Sequence, residues 1–383
     1  MQYTGRRLAF AMLAAATLML AGAAHAQPVT EVKIGFAGPM TGAQAHYGKD
    51  FQNGVTLAIE DMNATRPVIG GRHVRFVLDA ADDQADPRTG TMVAQKLVDD
   101  GIKGMLGHFN SGTSIPASRI YANAGIPQIS MATAAEYTQQ GFKTTFRMMT
   151  SDAQQGAVAG AFAVRQLHMK RIAIIDDRTA YGQGLADQFA RTAKAAGATI
   201  VDREYTSDHA LDFRSILTHL KAANPSLIYF GGADTQAAPM ARQMRALGIR
   251  APLMGGEMVR TPTFLKLAGP AANGTIASLA GLPLEQMPGG KAYVARYKRR
   301  FGTDVQTYSP YAYDGAMALF SAMKRANSTD PARYLPMLAR TAMPAVTTHT
   351  LAYDAHGNLK NGGITLYKVV NGKWVTLQSV GGR

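Results

Sequence analysis

The side chains of this sequence that could do chemistry stand in polar loops that follow predicted β-strands. Residues 107–114 follow a strand that ends at Leu106, and residues 130–133 follow the next strand along the chain. Loops at the carboxyl ends of parallel strands meet at one edge of a sheet, where hydroxyls and free N–H groups can bind a carboxylate or a phosphate. Helix capping by Ser or Thr is the other interpretation of residues 107–114, and that segment alone leaves it open.

Sequence motifs of catalysis and metal binding are mostly missing. The chain has no cysteine, no Gly-x-x-x-x-Gly-Lys-Ser/Thr, no His-Glu-x-x-His and no Gly-x-Ser-x-Gly. The acidic residues 79–86 lack the glycine and the terminal glutamate of an EF-hand. We therefore expect a protein that is not an enzyme and that has no catalytic residue, cofactor or metal site. An exported α/β enzyme acting on a small carboxylate or amide is the alternative, with Tyr181, His108 or the pair Asp176 and Asp177 as acid-base groups.

The first 26 residues have the pattern of a secretory signal peptide. Arg6 and Arg7 precede an apolar run over residues 8–21, and the small-x-small sequence Ala-His-Ala ends at Ala26. The run is short for a membrane span, which needs about 20 residues. The formal charge of +14 is dispersed along the chain without a nucleic-acid-binding motif. We expect an exported protein, cleaved near Ala26, that does not bind nucleic acid.

Predicted strands and helices alternate at short spacing in two successive units. In the first unit, strands over residues 31–37, 73–79, 104–106 and 127–130 alternate with helices over 49–63, 87–99 and about 116–124. The pattern restarts at residue 171 and continues to a helix over 236–247. Such alternation predicts doubly wound parallel sheets with helices on both faces. The remainder after about residue 277 has no core of its own, so we expect the two units to share it.

Five segments carry a resemblance to a known family. They are residues 34–42 with Tyr47-Gly48, 107–118, 174–185 with a Tyr-Gly-Gln-Gly turn, 229–232 (Tyr-Phe-Gly-Gly) and 254–257 (Met-Gly-Gly-Glu). In this order, after a signal peptide, they resemble the leucine/isoleucine/valine-type substrate-binding proteins of bacterial ABC transporters, which are type I periplasmic binding proteins. The likeness covers essentially the whole chain after residue 26.

The resemblance implies a two-lobed fold with a hinge of three crossovers, near residues 146–149, 277–281 and 350–354. The implied division is a signal peptide over residues 1–26, lobe 1 over 27–147 plus 281–351, and lobe 2 over 148–280 plus 352–383. The implied function is capture of an amino acid, branched-chain or otherwise hydrophobic, by hinge closure in the periplasm. The implied partners are the permease subunits of the inner membrane, and the protein would act as a monomer. A ligand sensor is the alternative.

The resemblance also implies a ligand site in the cleft between the lobes. A dipolar ligand needs hydrogen-bond donors on one side and an acceptor carboxylate on the other. The implied residues are Ser111, Thr133 and the backbone around Met131 for the ligand carboxylate, Tyr181 and Glu257 for the α-ammonium group, and Tyr47 and Tyr308 beside the side chain.

Two features depart from the family pattern. Relatives with Tyr-Gly-Gly-Tyr have a second tyrosine where this chain has Ala233 followed by Asp234. We expect the loss of that aromatic wall to leave room for a larger ligand, and Asp234 to offer a second negative charge. The family's cysteine pair is also missing, with Ala85 and Asn110 at the corresponding positions, a change that concerns stability alone.

Overall fold

Continuous apolar runs form the strands of two separate sheets in this protein. The computed structural model describes residues 29–382. The first part of the chain contains β1 (Thr30–Gly38), α1 (Ala45–Ala64), β2 (Val68–Ile69), β3 (Arg72–Asp82), α2 (Pro87–Asp99), β4 (Met105–Gly107), α3 (Ser111–Asn123), β5 (Gln128–Ser130), α4 (Glu136–Gln139) and β6 (Thr145–Arg147). Its six strands form one sheet in the order β2-β3-β1-β4-β5-β6. All pairs in this sheet are parallel except β2 with β3.

The second part of the chain repeats the alternation in another sheet. It contains α5 (Asp152–Arg165), β7 (Arg171–Asp176), α6 (Ala180–Ala195), β8 (Thr199–Tyr205), α7 (Arg214–Ala222), β9 (Leu227–Gly231), α8 (Asp234–Ala246), β10 (Leu253–Gly255), α9 (Pro262–Ala268) and β11 (Ile276–Leu279). The remainder contains α10 (Gly290–Phe301), α11 (Ser309–Arg325), α12 (Pro331–Ala339), β12 (Ala342–Met343), β13 (Leu351–Ala352), β14 (Ile364–Val370) and β15 (Lys373–Val380). The second sheet has the order β15-β14-β11-β10-β9-β7-β8, with the antiparallel hairpin β14-β15 at one edge.

The C-terminal remainder is divided between the two sheets, as the sequence predicted. The chain leaves the first sheet after β6, and α5 packs against α6 beside the second sheet. It leaves the second sheet after β11, and α11 packs against α1 beside the first. It then returns to the second sheet at β14. The fold is thus the two-lobed type I arrangement, and the exact lobe boundaries given above stay a prediction.

The strands of both sheets are apolar on each of their two faces because both faces are buried. The consecutive residues Phe36 and Ala37 of β1 point to opposite faces and are both fully buried, as are Ile174 and Ile175 of β7, because helices cover both faces of a parallel sheet. The carboxyl ends of these strands are left free for polar loops. Among residues 29–382, no helix is both long enough and apolar enough to cross a bilayer.

Helix α3 begins earlier than predicted. Its start was predicted at about Pro116. In the structure Asn110 is extended (φ −75°, ψ 144°) and the helix begins at Ser111, with Pro116 inside it. Ser111 therefore lies in the first helical turn and not in a loop. The predicted signal peptide lies outside the described residues.

Candidate functional site

The centre of the site is Glu257, a buried carboxylate in the turn that follows β10. Its side chain accepts hydrogen bonds from Gln155 Nε2 and from the Tyr181 hydroxyl (3.0 Å), both on helices of the same lobe. Gly256 makes this arrangement possible, because a Cβ atom there would overlap the Tyr181 hydroxyl and Leu185. Burial raises the pKa of Glu257 above its usual range. Glu257 is thus a rigidly held acceptor whose ionised form is costly until a cation reaches it.

A second buried carboxylate stands beside Glu257. Asp152 is the first residue of α5, where the positive end of the helix dipole favours an acid. Burial, followed by repulsion from Glu257, raises the pKa of Asp152 well above its usual range. Both of its carboxylate oxygens lack a hydrogen-bond partner among the residues that the structure describes, as does the buried hydroxyl of nearby Tyr229. The two acids form a strongly acceptor-rich surface, which we call the acid pair.

Lobe 1 presents hydrogen-bond donors opposite the acid pair. The Ser111 hydroxyl oxygen accepts from the backbone N–H of Ala134 (3.2 Å), so its own proton is available to a ligand. Ser111 also starts α3, whose N–H groups favour an anion. Met131 and Thr133 are buried in the adjoining turn after β5, and the Thr133 hydroxyl lies 3.4 Å from Glu257 Oε1. The side chains predicted for the two ends of a zwitterion therefore meet.

Arg147 holds the turn after β5 in place. Its guanidinium donates to the carbonyls of Ala132 (2.6 Å) and Ala134 (3.1 Å) and to the Thr138 hydroxyl (2.8 Å). Its Nε donates to Asn358 Oδ1 (2.8 Å), on the segment that returns toward lobe 2. Burial lowers the pKa of Arg147 to about 10, which leaves it charged at neutral pH. Arg147 thus connects the donor side of the site to the last crossover.

Aromatic rings form a wall next to these polar groups. Tyr47 stacks on Phe109 with ring centroids 5.3 Å apart, and Tyr308 contacts both rings edge-on, at 5.7 and 4.8 Å. Asp50 of α1 fixes the backbone at Tyr308 by accepting its N–H (2.6 Å). The Tyr308 hydroxyl is buried and has no partner among the described residues. The wall suits an apolar side chain with limited polar character.

The two lobes are in direct contact around the site. The Tyr47 hydroxyl donates to the carbonyl of Met258 (2.6 Å), and His46 Nε2 lies 2.9 Å from Asp234 Oδ2. Together with the approach of Thr133 to Glu257, these bonds join lobe 1 to the turn after β10 and to the start of α8. The structure therefore represents a closed arrangement of the lobes.

The structure brings all seven predicted site residues into one region, joined by the contacts above. Asp234 Oδ2 accepts from Thr261 and lies 2.9 Å from His46 Nε2 in the contact between lobes, while its buried Oδ1 has no partner within residues 29–382. A role for Asp234 toward the ligand stays a prediction. His108, a candidate acid-base group, is buried between Asp83 (2.7 Å) and Tyr121 (3.1 Å) within lobe 1.

The sequence analysis missed Asp152, Gln155 and Arg147. Asp152 and Gln155 are three residues apart and share one face of α5, but a polar pair at a helix start usually indicates capping. A buried arginine has no signature in the sequence, because arginine is mostly exposed in proteins. Their roles become visible only once segments distant in the chain are in contact.

Comparison with known proteins agrees with this architecture. The model of the periplasmic binding protein family matches residues 31–373. A Leu/Ile/Val-binding protein homolog 1 from Brucella suis is 34% identical over 355 residues, which cover 92% of this chain and 93% of that protein.

Solved structures share the fold at lower identity. The substrate-binding protein LivJ from Streptococcus pneumoniae, in complex with isoleucine, superposes with a TM-score of 0.82 at 24% identity, covering 92% of this chain and all of that one (100%). A solute-binding protein from R. palustris in complex with benzoate gives a TM-score of 0.80 at 20% identity, covering 91% and 96% of the two chains. With the family model matched over nearly the whole described chain, this protein belongs to the periplasmic binding protein family.

Proposed function

We propose that the protein is the periplasmic substrate-binding component of an ABC transporter, which captures an α-amino acid between its lobes and delivers it to the permease. The preferred ligand is a branched-chain or other hydrophobic amino acid. It is bound unchanged by a monomer that needs no cofactor. The observation that carries this proposal is the acid pair of Asp152 and Glu257 opposite the donors of Ser111 and the turn after β5.

The polar groups of the cleft match the two ends of a zwitterion. A ligand carboxylate beside Ser111 receives its hydroxyl and the N–H groups at the start of α3. A ligand ammonium group beside Glu257 brings one positive charge to the acid pair and has three N–H donors, which the Asp152 oxygens, without partners in the described part of the chain, can accept. The hydrogen bonds at each end of the ligand thereby offset the free-energy cost of burying the polar groups that face it.

The acid pair discriminates between classes of ligand. A simple carboxylate such as benzoate has no positively charged group, so it would leave the repulsion between Asp152 and Glu257 offset only by the more distant charge of Arg147. The aromatic wall of Tyr47 and Tyr308 favours an apolar side chain beside the α-carbon. The names of the relatives from Brucella suis and Streptococcus pneumoniae, which refer to leucine, isoleucine or valine, support the same ligand class.

Capture works by hinge closure. Donors for the carboxylate belong to lobe 1 and the acid pair belongs to lobe 2, so a ligand makes both sets of contacts only when the lobes are together. Binding therefore shifts the open–closed equilibrium toward the closed form, which also forms the bond from Tyr47 to the Met258 carbonyl. The closed form is the state that a permease would recognise.

A thermal-shift screen of the purified protein tests this proposal. The panel holds branched-chain, aromatic, basic and acidic amino acids together with benzoate and acetate. We expect a hydrophobic amino acid to raise the unfolding temperature, since stabilisation follows RT ln(1 + [L]/Kd). Mass spectrometry of the recovered ligand should show no change in mass. The proposal fails if benzoate stabilises the protein and no α-amino acid does, or if the ligand is recovered chemically altered.

A further inference from the structure

A cavity of about 510 Å³ lies between the lobes beside the proposed amino-acid site. Tyr181, whose hydroxyl donates to Glu257, and Met258, the residue after Glu257, both line it, so the cavity borders the site. Ala233 contributes only a methyl group to the wall. The volume exceeds what a branched-chain side chain fills, and the cavity is of the size that commonly holds a small ligand.

Two side chains that line this cavity have an acceptor oxygen without a donor among the described residues. Asp177 is only 5% exposed and lines the cavity. Its Oδ1 accepts from the backbone N–H (3.0 Å) and the hydroxyl (2.7 Å) of Thr179. Its Oδ2 has no hydrogen-bond donor within reach among residues 29–382. Across the cavity, the Asn110 side-chain amide donates to Gln44 (2.7 Å), and its buried Oδ1 has no partner in the same range.

The charge of the cavity is also negative. Asp208 adds a second, half-buried carboxylate to the lining. The one cation of the lining, Arg178, has its guanidinium carbon 4.7 Å from the centre of the Tyr205 ring, on which it stacks. Burial raises the pKa of Asp177 to about 6, so the carboxylate is ionised at neutral pH although it lacks a countercharge. A cation that enters the cavity would supply that countercharge.

We propose that this cavity is a subsite for the cationic end of a long amino-acid side chain, so that the protein binds basic amino acids of the lysine, ornithine and arginine class in addition to hydrophobic ones. The methylene stem passes Tyr181 and Met258, and the terminal ammonium or guanidinium group donates to Asp177 Oδ2 and Asn110 Oδ1. This inference rests on the proposed function, since the α-amino and α-carboxylate groups are bound as described there.

Isothermal titration calorimetry with matched ligands tests the subsite. Lysine and norleucine share the same four-carbon stem and differ by the terminal ammonium group. Norleucine lacks both the branched side chain of the preferred ligands and the charge that the subsite would bind, so we expect lysine or arginine to bind at least tenfold more tightly than norleucine, while branched-chain amino acids still bind. The Asp177→Asn variant keeps the oxygen that accepts from Thr179 but loses the charge. We expect it to lower the affinity for the basic ligand at least tenfold and to change that for norleucine less than twofold.

Two further variants keep the test decisive. Asp187→Asn on α6, the helix that begins three residues after Asp177, removes an exposed carboxylate that pairs with Arg203 outside the cavity, and we expect it to leave both affinities unchanged. If Asp177→Asn does not fold, as judged by its thermal unfolding, Asp208→Asn replaces it, with an expected loss of at least threefold for the basic ligand.

The possible outcomes separate the two proposals. If norleucine or leucine binds and every basic amino acid binds more weakly or not at all, the subsite is refuted and the proposed function stands. If basic amino acids bind but Asp177→Asn and Asp208→Asn leave their affinity unchanged, the subsite is also refuted. If no α-amino acid binds at all, both proposals fail.

Discussion

Replacing Glu257 with glutamine should weaken ligand binding and stabilise the ligand-free protein at the same time. The amide oxygen can take the position of Oε2 and accept from Gln155 and Tyr181. The amide nitrogen can take the position of Oε1 and donate to the Thr133 hydroxyl, 3.4 Å away. Glu257→Gln therefore preserves the local hydrogen bonds and removes only the charge.

The expected loss of affinity follows from the ion pair that the Glu257 carboxylate would form with the ligand ammonium group. Removing one member of a desolvated charge pair costs about 2–5 kcal/mol. Because Asp152 remains beside the ligand ammonium group, we expect the lower part of that range, roughly 30- to 150-fold in Kd. Calorimetric titration of the variant with leucine, isoleucine and valine measures the effect.

The expected gain in stability follows from the pKa of Glu257. Burial raises this pKa, so the folded protein holds the proton more tightly than the unfolded chain does. Below the pKa of the unfolded state, Glu257 is protonated in both states and does not lower the free energy of unfolding. As the pH rises from that pKa through the folded-state pKa, ionisation lowers the free energy of unfolding. At neutral pH without ligand, Glu257→Gln should therefore unfold at a higher temperature than the wild type. For the same reason, wild-type affinity should fall as the pH drops through this raised pKa.

Glu136→Gln is the matched control. Glu136 is exposed on α4, and its substitution makes the same chemical change, from a carboxylate to an amide. It should alter neither affinity nor unfolding temperature. The reasoning is refuted if Glu257→Gln binds the ligand as tightly as the wild type. It is also refuted if the variant is destabilised without ligand, since the loss of binding would then reflect damage to the fold.

Three further substitutions test the closed form and its support. Tyr47→Phe removes the bond to the Met258 carbonyl but keeps the ring, and should weaken binding by about 0.5–1.5 kcal/mol in calorimetry; an unchanged Kd would mean that this contact does not favour closure. Gly256→Ala should displace the Tyr181 hydroxyl and cost about 1–3 kcal/mol in unfolding experiments together with most of the affinity; a variant with wild-type affinity would contradict the close packing described here. Arg147→Met should lower the free energy of unfolding by about 3–5 kcal/mol in urea titrations, and a loss below 1 kcal/mol would show that its hydrogen bonds are readily replaced.

The regular elements follow from local sequence patterns. The helix over residues 87–99 has the expected bounds, because Asp86 caps it by accepting from the Thr89 N–H (2.8 Å) and Pro87 opens it. The strand predicted over 127–130 is likewise found, over Gln128–Ser130. By contrast, β6 (Thr145–Arg147) was not predicted from the sequence.

Parts of the site were likewise predicted from the sequence, and other parts were not. Its loops were identified because strand ends and helix starts are visible in the sequence, and the resemblance supplied Glu257 and Tyr181. The acid pair was not identified, because Asp152 and Glu257 become neighbours only when the chain after β10 folds back onto α5. The contact from His46 to Asp234 joins residues 188 positions apart, and no local pattern connects them.

The sequence by itself determined the alternating α/β architecture, the shared C-terminal remainder and the family, because each depends on hydrophobic periodicity or on short motifs. Only the tertiary structure decided which polar groups are buried together: the acid pair, the Arg147 anchor and the acceptor-rich cavity at Asp177. The physical reason is that the pKa of a carboxylate and its free energy of burial depend on its neighbours in space. Those neighbours come from both lobes and from segments far apart in the chain.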